Sequence, residues 1–133
     1  MNTRGFKKTS LIPALAGFDL CAMALWALGL DHARGSASKK LAKKYFQQAE
    51  RHYGLAQFEK ALEAYKKAMS HHRHPAFIFN IAQCYRQLKN YEKASFYYKL
   101  FLSEHPNAPN KKEVESFIKA MDKKAAAARA KSF

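Results

Sequence analysis

The sequence predicts an all-α fold made of two helical hairpins and a C-terminal capping helix. Three observations predict it. The segment Phe58–Met69 recurs as Tyr91–Leu102 at an offset of 33 residues, apolar residues recur every three or four positions, and no stretch keeps a period of two. Two copies of one helical hairpin account for all three observations, because each copy supplies two amphipathic helices that bury one face.

Small and aromatic residues occupy the matched positions of the two copies. The matched pairs include Ala49 with Ala82, Ala61 with Ala94 and Tyr65 with Tyr98. Small residues allow two antiparallel helices to approach closely, and aromatic rings fill the space between helix layers. We therefore expect these positions to lie in the core of each hairpin.

This pattern resembles the tetratricopeptide repeat family, whose repeats are pairs of antiparallel helices. In the first copy, the positions that carry the resemblance are Tyr45, Ala49, His52, Ala61, Tyr65 and Ala68. In the second copy, they are Ile78, Ala82, Tyr85, Ala94, Tyr98 and Phe101, followed by Pro106. The stretch from Pro75 to Arg86 is similar to exported bacterial members of the family. The resemblance implies a right-handed α-solenoid fragment with repeats over residues 38–74 and 75–108.

Residues 109–133 are predicted to form a capping helix that covers the last repeat. Asn110 is placed to cap its N-terminus, and Glu113 follows at the spacing of a capping box. Its apolar face is formed by Val114, Phe117, Ile118 and Met121. The lysine- and alanine-rich end from Lys123 is expected to fray.

The first 37 residues read as an export segment. A basic start over Met1–Lys8 precedes an apolar run over Leu20–Leu30, and small residues follow in Gly35–Ala37. This order is typical of a cleaved secretory signal, which would leave Ser38 as the new N-terminus. Two alternatives remain open, an uncleaved membrane anchor over Leu11–Leu30 and a cytoplasmic chain with a misassigned start. We expect the protein in the periplasm or cell envelope.

The chain is strongly basic. It contains 24 Lys and Arg residues against 10 Asp and Glu, a net charge of +14. Without the first 37 residues, 20 basic and 8 acidic residues remain, a net charge of +12. Such a charge attracts polyanions, which include acidic proteins, anionic membranes and nucleic acid. The alternative is that most of these lysines only solvate the outer faces of helices.

The family resemblance implies that the first helix of each hairpin lines a concave face that receives a peptide. The residues predicted to face the partner are Lys43, Phe46, Glu50, Tyr53, Phe79, Asn80, Gln83, Arg86 and Gln87. The Asn80 amide can pair with a peptide backbone or bond to a neighbouring helix. Lys43 and Arg86 suit acidic groups.

No motif in the sequence predicts catalysis, a cofactor or a metal site. Glycine-rich phosphate loops and nucleophile elbows are missing. His71, His72 and His74 cluster in a short segment, which we interpret as a solvated turn. Cys21 lies in the export segment, and Cys84 is predicted to be a buried apolar residue.

The sequence therefore predicts a non-enzymatic scaffold that binds a protein or peptide. Two alternatives remain open. One is a charge-driven binder of anionic membrane or, in a cytoplasmic chain, of nucleic acid. The other is a structural subunit that self-assembles within an envelope assembly.

Overall fold

The computed structural model of the protein describes residues 34–132. The boundary between two units of the chain lies between Ala37 and Ser38. Residues 34–54 are helical, and we call the part in the second unit, 38–54, helix α1. The other helices are α2 (Phe58–His71), α3 (Pro75–Gln87), α4 (Tyr91–Glu104) and α5 (Lys111–Lys131). Residues 34–132 thus hold five helices and no strand, which confirms the predicted all-α class.

Helices that follow each other in the chain pack against each other. The pairs α2 with α3, α3 with α4, and α4 with α5 are all in contact. Helix α1 contacts α2 where the Phe46 ring meets the Tyr65 ring, and it contacts α3 where the same ring meets Phe77. This arrangement of antiparallel neighbours confirms the predicted helical solenoid.

The odd-numbered helices lie side by side in one row. Contacts between α1 and α3 join Phe46 to Phe77, Glu50 to Asn80, and Tyr53 to Gln87. Because the residue numbers rise together on both helices, α1 and α3 run parallel. At the far end of α3, Arg86 lies over the Phe117 ring of α5. Helices α2 and α4 are the second, antiparallel helices of the two hairpins.

The two hairpin turns have the same backbone geometry. Ala56 and Lys89 both adopt positive φ, 55° and 59°. The Ala56 N–H donates to the Tyr53 carbonyl, as the Lys89 N–H does to Arg86. Three further backbone hydrogen bonds of the first turn have equivalents 33 residues later. Leu55 bonds Arg51 as Leu88 bonds Cys84, and Gln57 bonds His52 as Asn90 bonds Tyr85. In the same way, Ala61 bonds Gln57 and Ala94 bonds Asn90. The offset of 33 residues is therefore a repeat of backbone structure as well as of side chains.

The core contains the small and aromatic residues that the repeat predicts. The alanines that the repeat predicts to be buried, Ala49, Ala61, Ala82 and Ala94, are all fully buried. The rings of Tyr65 and Tyr98 are buried in the same cluster. Cys84 is also fully buried, as predicted, and burial raises the pKa of its thiol to about 12.

Helix α5 covers α4 with the predicted apolar face. Val114 and Met121 are buried, and Asp122 binds both Lys99 and Ser95 of α4. The expectation that the end of α5 frays is wrong. The helix continues to Lys131, because Ala125 is buried against the rest of the fold and Arg129 pairs with Glu92.

The start of α5 also differs from the prediction. Asn110 stands at the N-cap position, but its side chain makes no capping hydrogen bond. Of the N–H groups in the first turn, that of Lys111 donates to the Ala108 backbone carbonyl instead. The expected capping box is therefore wrong in its side-chain chemistry.

Most of the predicted export segment, residues 1–33, lies outside the described residues. Within residues 34–132, no helix combines the length and the apolar character needed to cross a membrane.

Candidate binding face

Hydrogen bonds between α1 and α3 bring together four of the predicted binding residues. The Asn80 amide nitrogen lies 3.3 Å from the Glu50 carboxylate and donates to it. One turn further along α1 and two turns further along α3, the Gln87 amide nitrogen lies 3.4 Å from the Tyr53 hydroxyl. We define the α1–α3 face by these residues and their neighbours on the same two helices: Lys43, Phe46, Glu50, Tyr53, Asn80, Gln83, Arg86 and Gln87.

Glu50 is the centre of this polar row. Besides Asn80, it accepts a hydrogen bond from the Tyr65 hydroxyl of α2. Burial and the Glu50 carboxylate both raise the pKa of Tyr65, so its hydroxyl stays protonated and remains a donor. With two donors, the Glu50 carboxylate is held in one orientation.

Asn80 adopts the second of its two predicted roles, bonding between helices. Its amide group donates to Glu50, while its side-chain carbonyl accepts no hydrogen bond within residues 34–132. Since the donor is fixed by Glu50, the carbonyl oxygen has a defined orientation. It can accept a hydrogen bond from a peptide N–H.

Arg86 connects the face to α5. Its guanidinium lies 4.6 Å from the centre of the Phe117 ring. The sequence placed Phe117 only in the apolar face of the capping helix, and nothing in its spacing indicated contact with Arg86. The contact arises because α5 continues the row formed by α1 and α3.

Phe79, which was predicted to face the partner, is half-buried and packs against α4. Its ring packs on Tyr98 at 5.8 Å and on Phe101 at 5.4 Å between ring centres, and both partners belong to α4. The contacts place Phe79 between α3 and α4. We therefore leave it out of the residues that we propose for binding.

A pocket of about 390 Å³ opens beside Lys43 and Phe46. We call it the N-terminal pocket. Its floor is apolar and consists of Ala42, Phe46, Ala76 and Phe77, and its mouth carries Lys39, Lys43, His72 and His74. The sequence identified Lys43 and Phe46 as binding residues but missed the residues that the turn between α2 and α3 contributes.

The three clustered histidines have separate surroundings. His71 stacks on the Tyr45 ring of α1, with 5.5 Å between ring centres. The Nδ1 atom of His74 lies 3.2 Å from the Ala76 backbone nitrogen and accepts its hydrogen bond, so His74 caps α3. Among the described residues, no three His, Cys, Asp or Glu side chains are grouped to hold a metal ion.

A second groove, of about 430 Å³, lies where the turn before α4 meets the end of α5. Two of its lining residues, Glu92 and Arg129, form an ion pair at 2.8 Å. The groove contains none of the predicted binding residues. The N-terminal pocket, in contrast, shares Lys43 and Phe46 with the α1–α3 face.

Comparison with known families gives a match to one part of the chain. Residues 76–107 match the family model described as tetratricopeptide repeat. The match covers α3, α4 and the residues that follow α4. No curated protein matches the chain.

Proposed function

We propose that this chain is a tetratricopeptide repeat protein, as the match over residues 76–107 supports, and that it binds a protein or peptide through the α1–α3 face. Repeat proteins of this kind act as interaction scaffolds and offer extended surfaces for partners. The observation that carries the proposal is the pair of hydrogen bonds that joins Glu50 to Asn80 and Tyr53 to Gln87.

Those bonds favour binding because they order the polar side chains before a partner arrives. A long side chain that becomes immobile on binding costs about 0.5–1.5 kcal/mol of affinity. Asn80 and Gln87 are already held by α1, so less of that cost remains. Beside them, Gln83 is half-exposed and adds an amide with a donor and an acceptor. An extended peptide backbone needs both.

The charges of the face favour an acidic partner. Lys43 lies near the start of α1 and Arg86 near the end of α3, and the two helices run parallel. The basic groups thus stand toward opposite ends of the row. Glu50 is the only acidic residue of α1, and it is occupied by Tyr65 and Asn80.

A peptide array tests the proposed binding. The purified chain is probed with acidic, neutral and basic peptides, and the affinities of the bound peptides are then measured in solution. We expect the Asn80→Ala/Gln83→Ala variant to lose roughly tenfold in affinity, since each lost hydrogen bond is worth about 1 kcal/mol.

The matched control is Lys60→Ala/Glu63→Ala, which alters two exposed residues of α2 and keeps the net charge. It should bind as the wild type does. The proposal fails if both variants bind equally well. A polyanion binder would instead lose affinity steeply as salt rises, whichever amide is removed.

We also propose that the chain is exported and that the mature protein begins at Ser38. The basic, apolar and small-residue order of residues 1–37 supports export. Fractionation of the native cells should recover the protein in the envelope, and N-terminal sequencing should read Ser38 first. A protein that keeps Met1 in the membrane fraction indicates an anchor, and one that keeps it in the cytoplasm contradicts export.

A further inference from the structure

We propose that the N-terminal pocket binds one apolar side chain of an acidic protein segment, whose flanking carboxylates contact Lys39, Lys43 and His74. The inference rests on the proposed function and specifies its partner. The apolar side chain of the partner would lie on the floor of the pocket, and the acidic groups of the partner would contact its mouth.

The floor of the pocket has the shape and chemistry for an apolar side chain. The rings of Phe46 and Phe77 lie 5.4 Å apart and meet at a tilt, with Ala42 and Ala76 beside them. Both alanines are small, so the pocket keeps a volume of about 390 Å³, which lies within the usual range of ligand pockets. A leucine-sized side chain buried there contributes roughly ten- to a hundredfold in affinity.

The two lysines at the mouth of the pocket, Lys39 and Lys43, favour an acidic partner. Within residues 34–132, Lys39 and Lys43 form no ion pair, whereas Arg73 of the adjoining turn is bound to Glu104. The Glu104 carboxylate is therefore paired with Arg73 and with neither of the two lysines. Carboxylates of a partner are the groups that complement two free ammonium groups beside an apolar floor.

His74 adds a donor of defined orientation. Because its Nδ1 accepts the Ala76 N–H, the ring nitrogen that is able to donate is Nε2. The ring is also held against Phe77, with 5.5 Å between ring centres. The Nε2–H group is thus a fixed donor at the mouth of the pocket, suited to a carboxylate or a peptide carbonyl.

Fluorescence anisotropy with short synthetic peptides tests the occupant. The probe is a fluorescein-labelled, glutamate-rich peptide with one central leucine, and two matched peptides carry serine for the leucine or glutamine for the glutamates. We expect each replacement to weaken binding roughly tenfold or more. Equal binding of the leucine and serine peptides overturns the proposal, because it leaves charge as the only attraction.

Three variants locate the binding in the pocket. Ala76→Leu fills the floor and keeps every charge, and it should weaken the leucine peptide roughly tenfold while leaving the serine peptide unchanged. Lys43→Glu should weaken the acidic peptides more than Lys44→Glu, its matched control, since Lys44 is exposed on the same helix but does not line the pocket. Equal effects of Lys43→Glu and Lys44→Glu overturn the proposal.

The His74→Asn substitution keeps an N-cap residue at the start of α3 but removes the imidazole donor. Asparagine is a good N-cap residue, so circular dichroism and the midpoint of thermal unfolding should stay as in the wild type. The imidazole donor is lost, and we expect a several-fold weaker affinity for the leucine peptide. Unchanged affinity overturns the role assigned to His74.

The two proposals fail in different ways. If Asn80→Ala/Gln83→Ala loses the array peptides while Ala76→Leu binds all peptides normally, the pocket inference fails and the binding face stands. If neither variant changes binding, both fail. Vesicles rich in phosphatidylglycerol and single-stranded DNA serve as rival probes, and tighter binding of either than of the leucine peptide overturns the acidic-segment assignment.

Discussion

Tyr65 and Tyr98 occupy equivalent positions in the two hairpins, but their hydroxyl groups have different surroundings. The Tyr65 hydroxyl donates to Glu50. The residue equivalent to Glu50 in the second hairpin is Gln83, and the buried Tyr98 hydroxyl has no hydrogen-bond partner in the described part of the chain. Burial raises the pKa of Tyr98 to about 12.

This difference between Tyr65 and Tyr98 shows which properties of the position are common to both copies of the repeat. Both rings are buried at the same place between helices, so the repeat specifies ring volume at this position. It does not specify a polar partner, because that partner is supplied by a residue that differs between the copies. The first hairpin uses the polar group to join α1 to α2, and the second leaves it unpaired.

The largest expected effect appears at high pH. The pKa of Tyr98 is raised above the unfolded value of 10, so its contribution to stability is complete below pH 10 and is lost as pH rises toward 12. The loss reaches about 2 kcal/mol by pH 12. Tyr98→Phe lacks this ionisation, and urea unfolding near pH 8 and near pH 12 should give it the smaller decrease. Equal decreases in both proteins contradict the raised pKa.

Removing the hydroxyls at neutral pH should change stability in opposite directions. Tyr65→Phe loses its bond to the Glu50 carboxylate and should lower the free energy of unfolding by about 1.5 kcal/mol. Tyr98→Phe removes an unpaired buried hydroxyl and should raise it by about 1 kcal/mol. Urea unfolding of the two variants measures both values. Changes of the same sign show that the hydroxyls are equivalent and refute the comparison.

The starts of α2 and α4 should differ by a smaller amount. The Asn90 side chain accepts a hydrogen bond from the Lys93 backbone N–H at 3.3 Å, whereas Gln57 makes no such cap. Asn90→Ala should therefore lower the free energy of unfolding by about 1 kcal/mol. Gln57→Ala should change it by less, since its side chain bonds only the exposed His52 ring. Equal losses, measured by thermal unfolding, disprove the difference in capping.

The smallest effect should be the same in both hairpins. Ala56 and Lys89 adopt positive φ, which costs a non-glycine residue some conformational energy. Ala56→Gly and Lys89→Gly should each raise the free energy of unfolding by about 0.5 kcal/mol. Lys89→Ala is the control for the lost charge and should give no gain. A gain in only one turn contradicts the shared backbone geometry.

Much of the fold follows from the repeat in the sequence. The matched alanines and tyrosines predict which residues are buried, because close helix contact demands small residues and the space between helices demands rings. The backbone geometry of the hairpin turns was not predicted. Their positive φ at Ala56 and Lys89 has no signal in residue type, since neither is glycine or asparagine.

The binding face was predicted less completely. The register of the resembled family implies one side of α1 and α3 as the binding face, in a row from Lys43 to Gln87. It assigned Phe79 to that row, although its ring turns to Tyr98 and Phe101. Side-chain direction depends on packing against α4, which periodicity within α3 does not contain. The pocket residues from the turn were missed for the same reason, because their proximity to α1 is a tertiary contact.

The packing of each helix against close neighbours in the chain has a consequence for how fast the protein folds. The contacts within the odd-numbered row span 30 residues from Glu50 to Asn80 and 31 from Arg86 to Phe117. Helical chains with such short loops to close fold within microseconds to milliseconds, since little chain entropy is lost before each contact forms. A temperature-jump experiment should therefore find a relaxation phase in the range of microseconds to milliseconds.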